Sequence, residues 1–210
     1  MSIVREAGAR TQLQKALAVY NWVVDNGYRD LSVPGCGQGN IQAMLESGKL
    51  GGKSMDTSSL FVGLARAAGI PARGQYGIRI DESEIHKSMG QFGDVSEAQH
   101  CHAEFYLAGL GWVAVDPADV HQLILDTGLA KNDPGVVVLK ERFFGSWEKN
   151  WVAFNHVTDV SLGKDSAAGV LPFFTYPHAE IDGKPQDSLN AAGFSYKISS
   201  AEMVGTGAKL

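Results

Sequence analysis

At 210 residues the chain is long enough for one full hydrophobic core and short for two. Its net charge of −5 offers no cationic footprint for nucleic acid or an anionic membrane, and no apolar run approaches the length of a membrane span. Two cysteines, Cys36 and Cys101, are too few for a disulfide framework; one bridge between them and simple packing are both open.

In chain order, Leu13, Leu17, Tyr20 and Val24, widened by Trp22 and Val23, predict a helix within Val4–Asn26 that stops at Asn26-Gly27. Residues 30–40, DLSVPGCGQGN, read as a loop. Their Gly-x-Gly-x-Gly run follows no clear strand and lacks dinucleotide spacing, so a turn-rich loop is preferred to a phosphate cradle. A short helix is expected over 40–47, ended by Gly48. A longer one runs from Ser54 to Ala68, with Leu60, Phe61, Leu64 and Ala68 on its apolar face and Gly69 and Pro71 as its stop. QYGIRI (75–80) reads as a strand and 81–98 as a polar excursion. The runs 99–109 and 111–120 read as an antiparallel hairpin. Alternation puts His100, His102, Glu104 and Tyr106 on one face of the first strand, and Cys101, Ala103, Phe105 and Leu107 on the other. Trp147, Trp151 and Phe154 have near-helical spacing and read as core. The tail from Val170 reads as short extended pieces with turns such as DGKP. No repeat or linker divides the chain, so a single domain over 1–210 is expected. The chain as given opens on a helical pattern with no signal peptide; a soluble protein is expected, periplasmic or secreted if the N-terminus has been trimmed.

Three of these segments can carry chemistry together. A nucleophile at a helix start, here Ser54, feels the positive end of the helix dipole, and unpaired N–H groups there can receive an oxyanion. His100 on a neighbouring strand can take its proton, and Asp116 at the next strand's end can orient the imidazole. Taken singly, each has a plainer reading: Ser54 as a helix N-cap, His100 as a strand-surface residue, Asp116 as a turn residue before Pro117. Asp56 suits the helix dipole without catalysis, and Arg66 and Arg73 read as structural. His86, His121, His156 and His178 have no partner pattern.

The opening Gly52-Lys53-Ser54, the continuation Leu60-Phe61-Val62 and the closing Arg66-Ala67-Ala68-Gly69-Ile70-Pro71-Ala72-Arg73 form one motif. A second is His100, Glu104, Tyr106, Leu107, Gly109, Gly111, Trp112, Val113, Val115, Asp116 and Pro117. Together they resemble the transglutaminase-like superfamily, on the papain-like cysteine-protease fold, with a motif core of about 50–118. The resemblance implies an α+β domain in which a central helix packs on an antiparallel sheet. It implies a Cys-His-Asp triad that attacks a peptide or protein amide through a thioester, released by water or an amine, with no cofactor and no metal. Hydrolysis is preferred to transfer. The register selects His100 as the catalytic histidine. His102 falls where the family often has an aromatic residue, and His102 and Trp112 are candidate substrate contacts. The departure is Ser54, which stands where the family has its cysteine. An engineered Cys→Ser exchange, a natural pseudoenzyme and a working serine variant all fit. Two other classes of function stay open: a silent peptide-binding module, and a zinc site on His100 and His102 with Glu104 or Asp116.

Overall fold

The computed structural model describes residues 2–203. The helix expected within Val4–Asn26 is two helices, α1 (Ser2–Glu6) and α2 (Gln12–Asn26). Gly8 breaks the chain in left-handed backbone. Thr11 restarts it with a capping box: its hydroxyl accepts from Gln14 N–H, and the Gln14 side chain accepts from Thr11 N–H. The buried face of α2 is also rotated from the expected one. Ala16, Val19, Tyr20, Val23 and Val24 are buried, while Leu13 and Leu17 are exposed. The stripe was wide enough to offer two faces, and packing selected one.

β1 (Tyr28–Arg29), α3 (Ile41–Ser47) and β2 (Gly51–Gly52) follow. Asn40 caps α3 and a left-handed Gly48 ends it. β1 and β2 pair in parallel with Arg29 opposite Gly52, which holds the chain just before α4 (Ser54–Ala67). The glycine run between them binds a carboxylate of the protein itself. Gln38 and Gly39 donate their N–H groups to Asp56 Oδ1 at 2.9 and 2.8 Å, and Lys53 N–H donates to Asp56 Oδ2 at 3.0 Å. Asp56 thus caps α4 and ties the loop to it. Gly37 is required for that approach: its φ is +101°, and a Cβ there would stand 1.9 Å from Asp56 Oδ2. Gly37→Ala is expected to cost about 2–3 kcal/mol in urea unfolding. A loss below about 0.5 kcal/mol, the size of an ordinary surface change, would refute this account of the loop.

α4 lies against β3 (Ala72–Arg79) and β4 (Gln99–Leu107). Ser58 Oγ donates to Cys101 O at 3.0 Å, and Phe61 meets Phe105 edge-on, so the Cys101/Phe105 face of β4 is the one α4 covers. β4 turns into β5 (Gly111–Val115), the expected antiparallel hairpin. Beyond Val115 the expectation of continued strand fails. Asp116 caps α5 (Pro117–Thr127), with Pro117 at its first position, where proline's missing N–H costs nothing. Then come α6 (Pro134–Arg142), β6 (Phe144–Gly145) and β7 (Trp151–Asn155). Trp151 and Phe154 are therefore on a strand, and their near-helical spacing was coincidental. The sheet has five strands in the order β6-β5-β4-β3-β7, all antiparallel. The expected central helix on an antiparallel sheet is what forms. β8 (Thr158–Ser161) pairs with β9 (Val170–Phe173), and β10 (Glu180–Ile181) with β11 (Lys184–Pro185), the last across the DGKP turn. The largest buried cluster joins α2, α4, β4, α5 and α6 through residues such as Tyr20, Phe61, Phe105, Val120 and Leu139. No helix among the described residues is long and apolar enough to cross a membrane.

Candidate active site

Ser54 and His100 line one cavity of about 520 Å³ at the N-terminal end of α4, together with Arg29, Cys36, Lys53, Glu97, Gln99, Tyr176 and part of the chain from Ser188 to Tyr196. Both Ser54 and His100 are buried. Lys53, not Ser54, is the N-cap of α4; the N-cap reading of Ser54 is corrected, because Ser54 already has helical backbone. Its Oγ is spent differently. It accepts from Cys101 N–H at 3.2 Å. Met55 N–H is also taken, by Cys36 O at 2.8 Å, so that helix-end donor is not free for an oxyanion.

His100 is held on both nitrogens. Nε2 lies 3.2 Å from Asp116 Oδ2, and Nδ1 lies 3.2 Å from Arg79 Nη2. A guanidinium only donates, so Nδ1 accepts and Nε2–H faces Asp116; the partners assign the tautomer. Asp116 is itself oriented by the start of α5. Its Oδ1 accepts from Ala118 and Asp119 N–H at 2.9 and 3.0 Å, leaving Oδ2 for the imidazole. Burial pushes the Asp116 carboxyl up, but His102 and His100 outweigh it and hold the group well below the ordinary carboxylate range. Arg79 pairs with Asp119 and donates to Met89 O, so a buried Arg79–Asp119 pair stands behind His100. Burial disfavours its charged form and Asp119 restores it, leaving the guanidinium more firmly protonated than usual.

His102 is fully enclosed. It stacks on Trp147 with centroids 4.8 Å apart and meets Trp151 edge-on at 4.4 Å. Its Nδ1 is 2.8 Å from Asp116 Oδ2 but out of line to donate, and both ring nitrogens lack hydrogen-bond partners. Burial lowers its pKa, and the neighbouring Asp116 only partly opposes this. Trp147 Nε1–H donates to Val115 O, and Trp151 Nε1–H to His100 O, so these tryptophans brace the strand that leads into Asp116 and the strand that carries His100. Neither His102 nor Trp112, the two expected substrate contacts, is among the residues that line this cavity. Trp112 instead lies beneath the Arg73 guanidinium and beside Tyr106.

The ligand atoms of His100, His102 and Asp116 lie within 4.8 Å of one another. Glu104 is not part of that group; it pairs with Arg73 at 2.7 Å and accepts from Gln75. A divalent cation among the three would sit beside the Arg79 guanidinium, with the Asp116 carboxylate already serving the His100 imidazole and two N–H groups. That charge pattern suits a hydrogen-bonded His-Asp pair better than a metal.

Cys36 and Cys101 are both free thiols. Cys36 Sγ donates to Gln99 O at 3.2 Å. Hydrogen bonding with Cys101 draws its thiol down to about 7 against burial, with Tyr176, Ser54 and Arg29 acting in the same direction. Cys101 is pushed up correspondingly, first by Cys36 and then by burial.

A family model for the transglutaminase-like superfamily matches residues 2–117. The chain belongs to that superfamily. An uncharacterized protein of Haemophilus influenzae (strain ATCC 51907 / DSM 11121 / KW20 / Rd) is 43% identical over 201 residues, covering 91% of this chain and 54% of that protein. The chain thus spans about half the length of this relative. Two solved structures are more distant. A candidate cysteine protease from Cytophaga hutchinsonii has a TM-score of 0.41 at 19% identity, over 74% of this chain and 50% of that one. A candidate protease from Parabacteroides distasonis has a TM-score of 0.34 at 11% identity, over 56% of this chain and 25% of that one.

Sequence reasoning missed Arg79, Asp119, Arg29 and Cys36 as neighbours of the transglutaminase-like site. Asp119 was signalled weakly, three residues after the capping Asp116, where a helix start favours a carboxylate. Arg79 ends the predicted strand 75–80 next to its last residue, but nothing in the chain says which carboxylate it meets.

Proposed function

We propose that this transglutaminase-like domain is built for acyl chemistry on a peptide or protein amide, hydrolysis ahead of transfer, with residue 54 as the nucleophile position, His100 as base and Asp116 as its orienting carboxylate. The observation that supports this reading is a shared cavity: Ser54 and His100 both line it, and Asp116 holds Nε2 of His100. A thiol at position 54 would attack the carbonyl carbon, its proton passing to His100. That proton would then leave with the departing amine, and water would release the acyl group from the thioester. Serine weakens the first step, because a hydroxyl stays neutral where a thiol ionises. The protein with Ser54 is therefore attenuated or silent, whether engineering or evolution made the exchange.

A second reading is the peptide-binding module without catalysis. It is favoured by one detail: Ser54 Oγ pairs with Cys101 N–H, while Arg79 occupies the His100 nitrogen that a base needs.

Ser54→Cys separates the two. Alkylation with iodoacetamide across pH, the adduct located by peptide mass spectrometry, is expected to proceed well below pH 8 at residue 54. At about pH 6.5 the rate is expected to exceed that of the Ser54→Cys, His100→Ala protein by about tenfold or more. Labelling that follows an ordinary thiol, with no dependence on His100, supports the binding module and ends the enzyme reading.

A further inference from the structure

The cavity also contains a cation that the proposed reaction does not use. Arg29 lies on β1, opposite Gly52, and so two residues in register from the nucleophile position. Its side chain lines the cavity, yet its Nε is buried with no hydrogen-bond partner among the described residues. Burial lowers its pKa; Asp119 and Asp126 act on it only at a distance, and Asp119 is already paired with Arg79. Nε is closed to solvent, so a ligand in the cavity would meet the outer guanidinium nitrogens, which make no hydrogen bond or ion pair among the described residues; an incompletely satisfied guanidinium costs free energy. Two further features have the same sign. Lys53 lines the cavity, and the cavity sits at the N-terminal end of a 14-residue helix, where the dipole favours an anion. Glu97 is the one carboxylate among the lining residues and gives the wall opposite charge.

We infer that Arg29 is a specificity residue that receives a carboxylate of the substrate, so that the amide held against residue 54 comes from an acidic or carboxy-terminal peptide. The inference rests on the proposed reaction centre at Ser54 and His100. The guanidinium fork matches a planar carboxylate in two hydrogen bonds, which a lysine would not. The substrate carboxylate has two sources, a chain terminus or an acidic side chain next to the scissile bond.

Two alkylators of similar size and different charge test this on the Ser54→Cys protein. Iodoacetate carries the carboxylate and iodoacetamide does not, so the ratio of their rates cancels the ionisation of the thiol. The ratio at residue 54 is expected to exceed that of a cysteine in an unstructured peptide by about tenfold, and to fall most of the way to the peptide value in Arg29→Gln. Arg29→Lys should keep part of the preference, and guards against loss of folding in the glutamine variant. N-acetyl-trialanine with a free terminus, and N-acetyl-Ala-Glu-Ala amide, are then compared for protection of residue 54. The better protector names the source.

A ratio equal to the peptide value, a ratio that survives Arg29→Gln, or one that collapses in Lys53→Gln instead overturns the inference. So does a cavity that admits neither reagent. His100→Ala reports on the reaction centre separately. An Arg29-dependent ratio with no His100-dependent ionisation would leave an anion-binding cavity without the proposed chemistry.

Discussion

Acidification from pH 6.5 to about pH 4 is expected to cost this protein about 3 kcal/mol through His121 alone, at about 1.4 kcal/mol per pKa unit. His121 is buried on α5, where Nε2–H donates to Val24 O at 3.1 Å and Nδ1 has no partner. Burial lowers its pKa from 6.5 to about 4, and the Val24 bond only partly opposes this. The unfolded chain takes up this proton near pH 6.5, and the folded chain does so only near pH 4. In that window the unfolded state binds more protons, so stability is full above pH 6.5 and falls as the pH drops. His102, also lowered by burial, acts in the same direction. Asp116 acts in a different window. Its folded pKa is depressed, so its contribution is present above the ordinary carboxylate pKa and is lost only as pH falls below it. Urea unfolding at pH 7, 5.5 and 4 checks the assignment. His121→Gln keeps a donor for Val24 O and cannot ionise, so its stability should fall less over this range. An unchanged slope in that variant would remove His121 as the cause.

Asp116→Ala is expected to destabilise the fold by about 3–5 kcal/mol, the range for breaking a buried charged pair from one side. The carboxylate accepts from two N–H groups of α5 and faces two imidazoles at full burial. Loss of the cap alone accounts for about 1 kcal/mol of this. Asp116→Asn divides the two parts. Its carbonyl can still accept from Ala118 and Asp119 N–H, but its amide would point a donor at His100 Nε2. The His100 proton would then move to Nδ1, against the Arg79 guanidinium. The asparagine variant should regain the cap and little more. The measurement is the denaturation midpoint at unchanged denaturant slope. An Asp116→Ala protein within about 0.5 kcal/mol of the parent would mean that the His-Asp cluster does not hold this end of the sheet.

The site was legible in outline because its spacing is local. Ser54 opens a helix with a clear apolar face and a Gly-Ile-Pro stop, and His100 and Asp116 lie at the two ends of a hairpin joined by a short turn, Asp116 just past its second strand. Their order and strand alternation follow from the chain, as does the placement of Cys101 on the face opposite His100. The helical face of α2 was misjudged because Leu13 and Leu17 are as apolar as Val19 and Val23. Which of them is buried depends on where α4 and α5 lie. Asp116 read as the end of a strand because Asp-Pro stops a strand and starts a helix with the same residues.

By itself, the sequence determined the central helix and the β4–β5 hairpin, since each depends on residues close together or on a fixed period, and it singled out Ser54, His100 and Asp116 as candidates. Only the tertiary structure decided what those groups touch. It set Arg79 against His100 Nδ1, enclosed His102 between Trp147 and Trp151, bound the glycine run to Asp56, and left the Arg29 side chain at the cavity without a partner among the described residues. These contacts join residues tens of positions apart. A charge or a ring carries no mark of its distant partner; the partner is chosen by how the elements pack, and burial then fixes what the contact is worth.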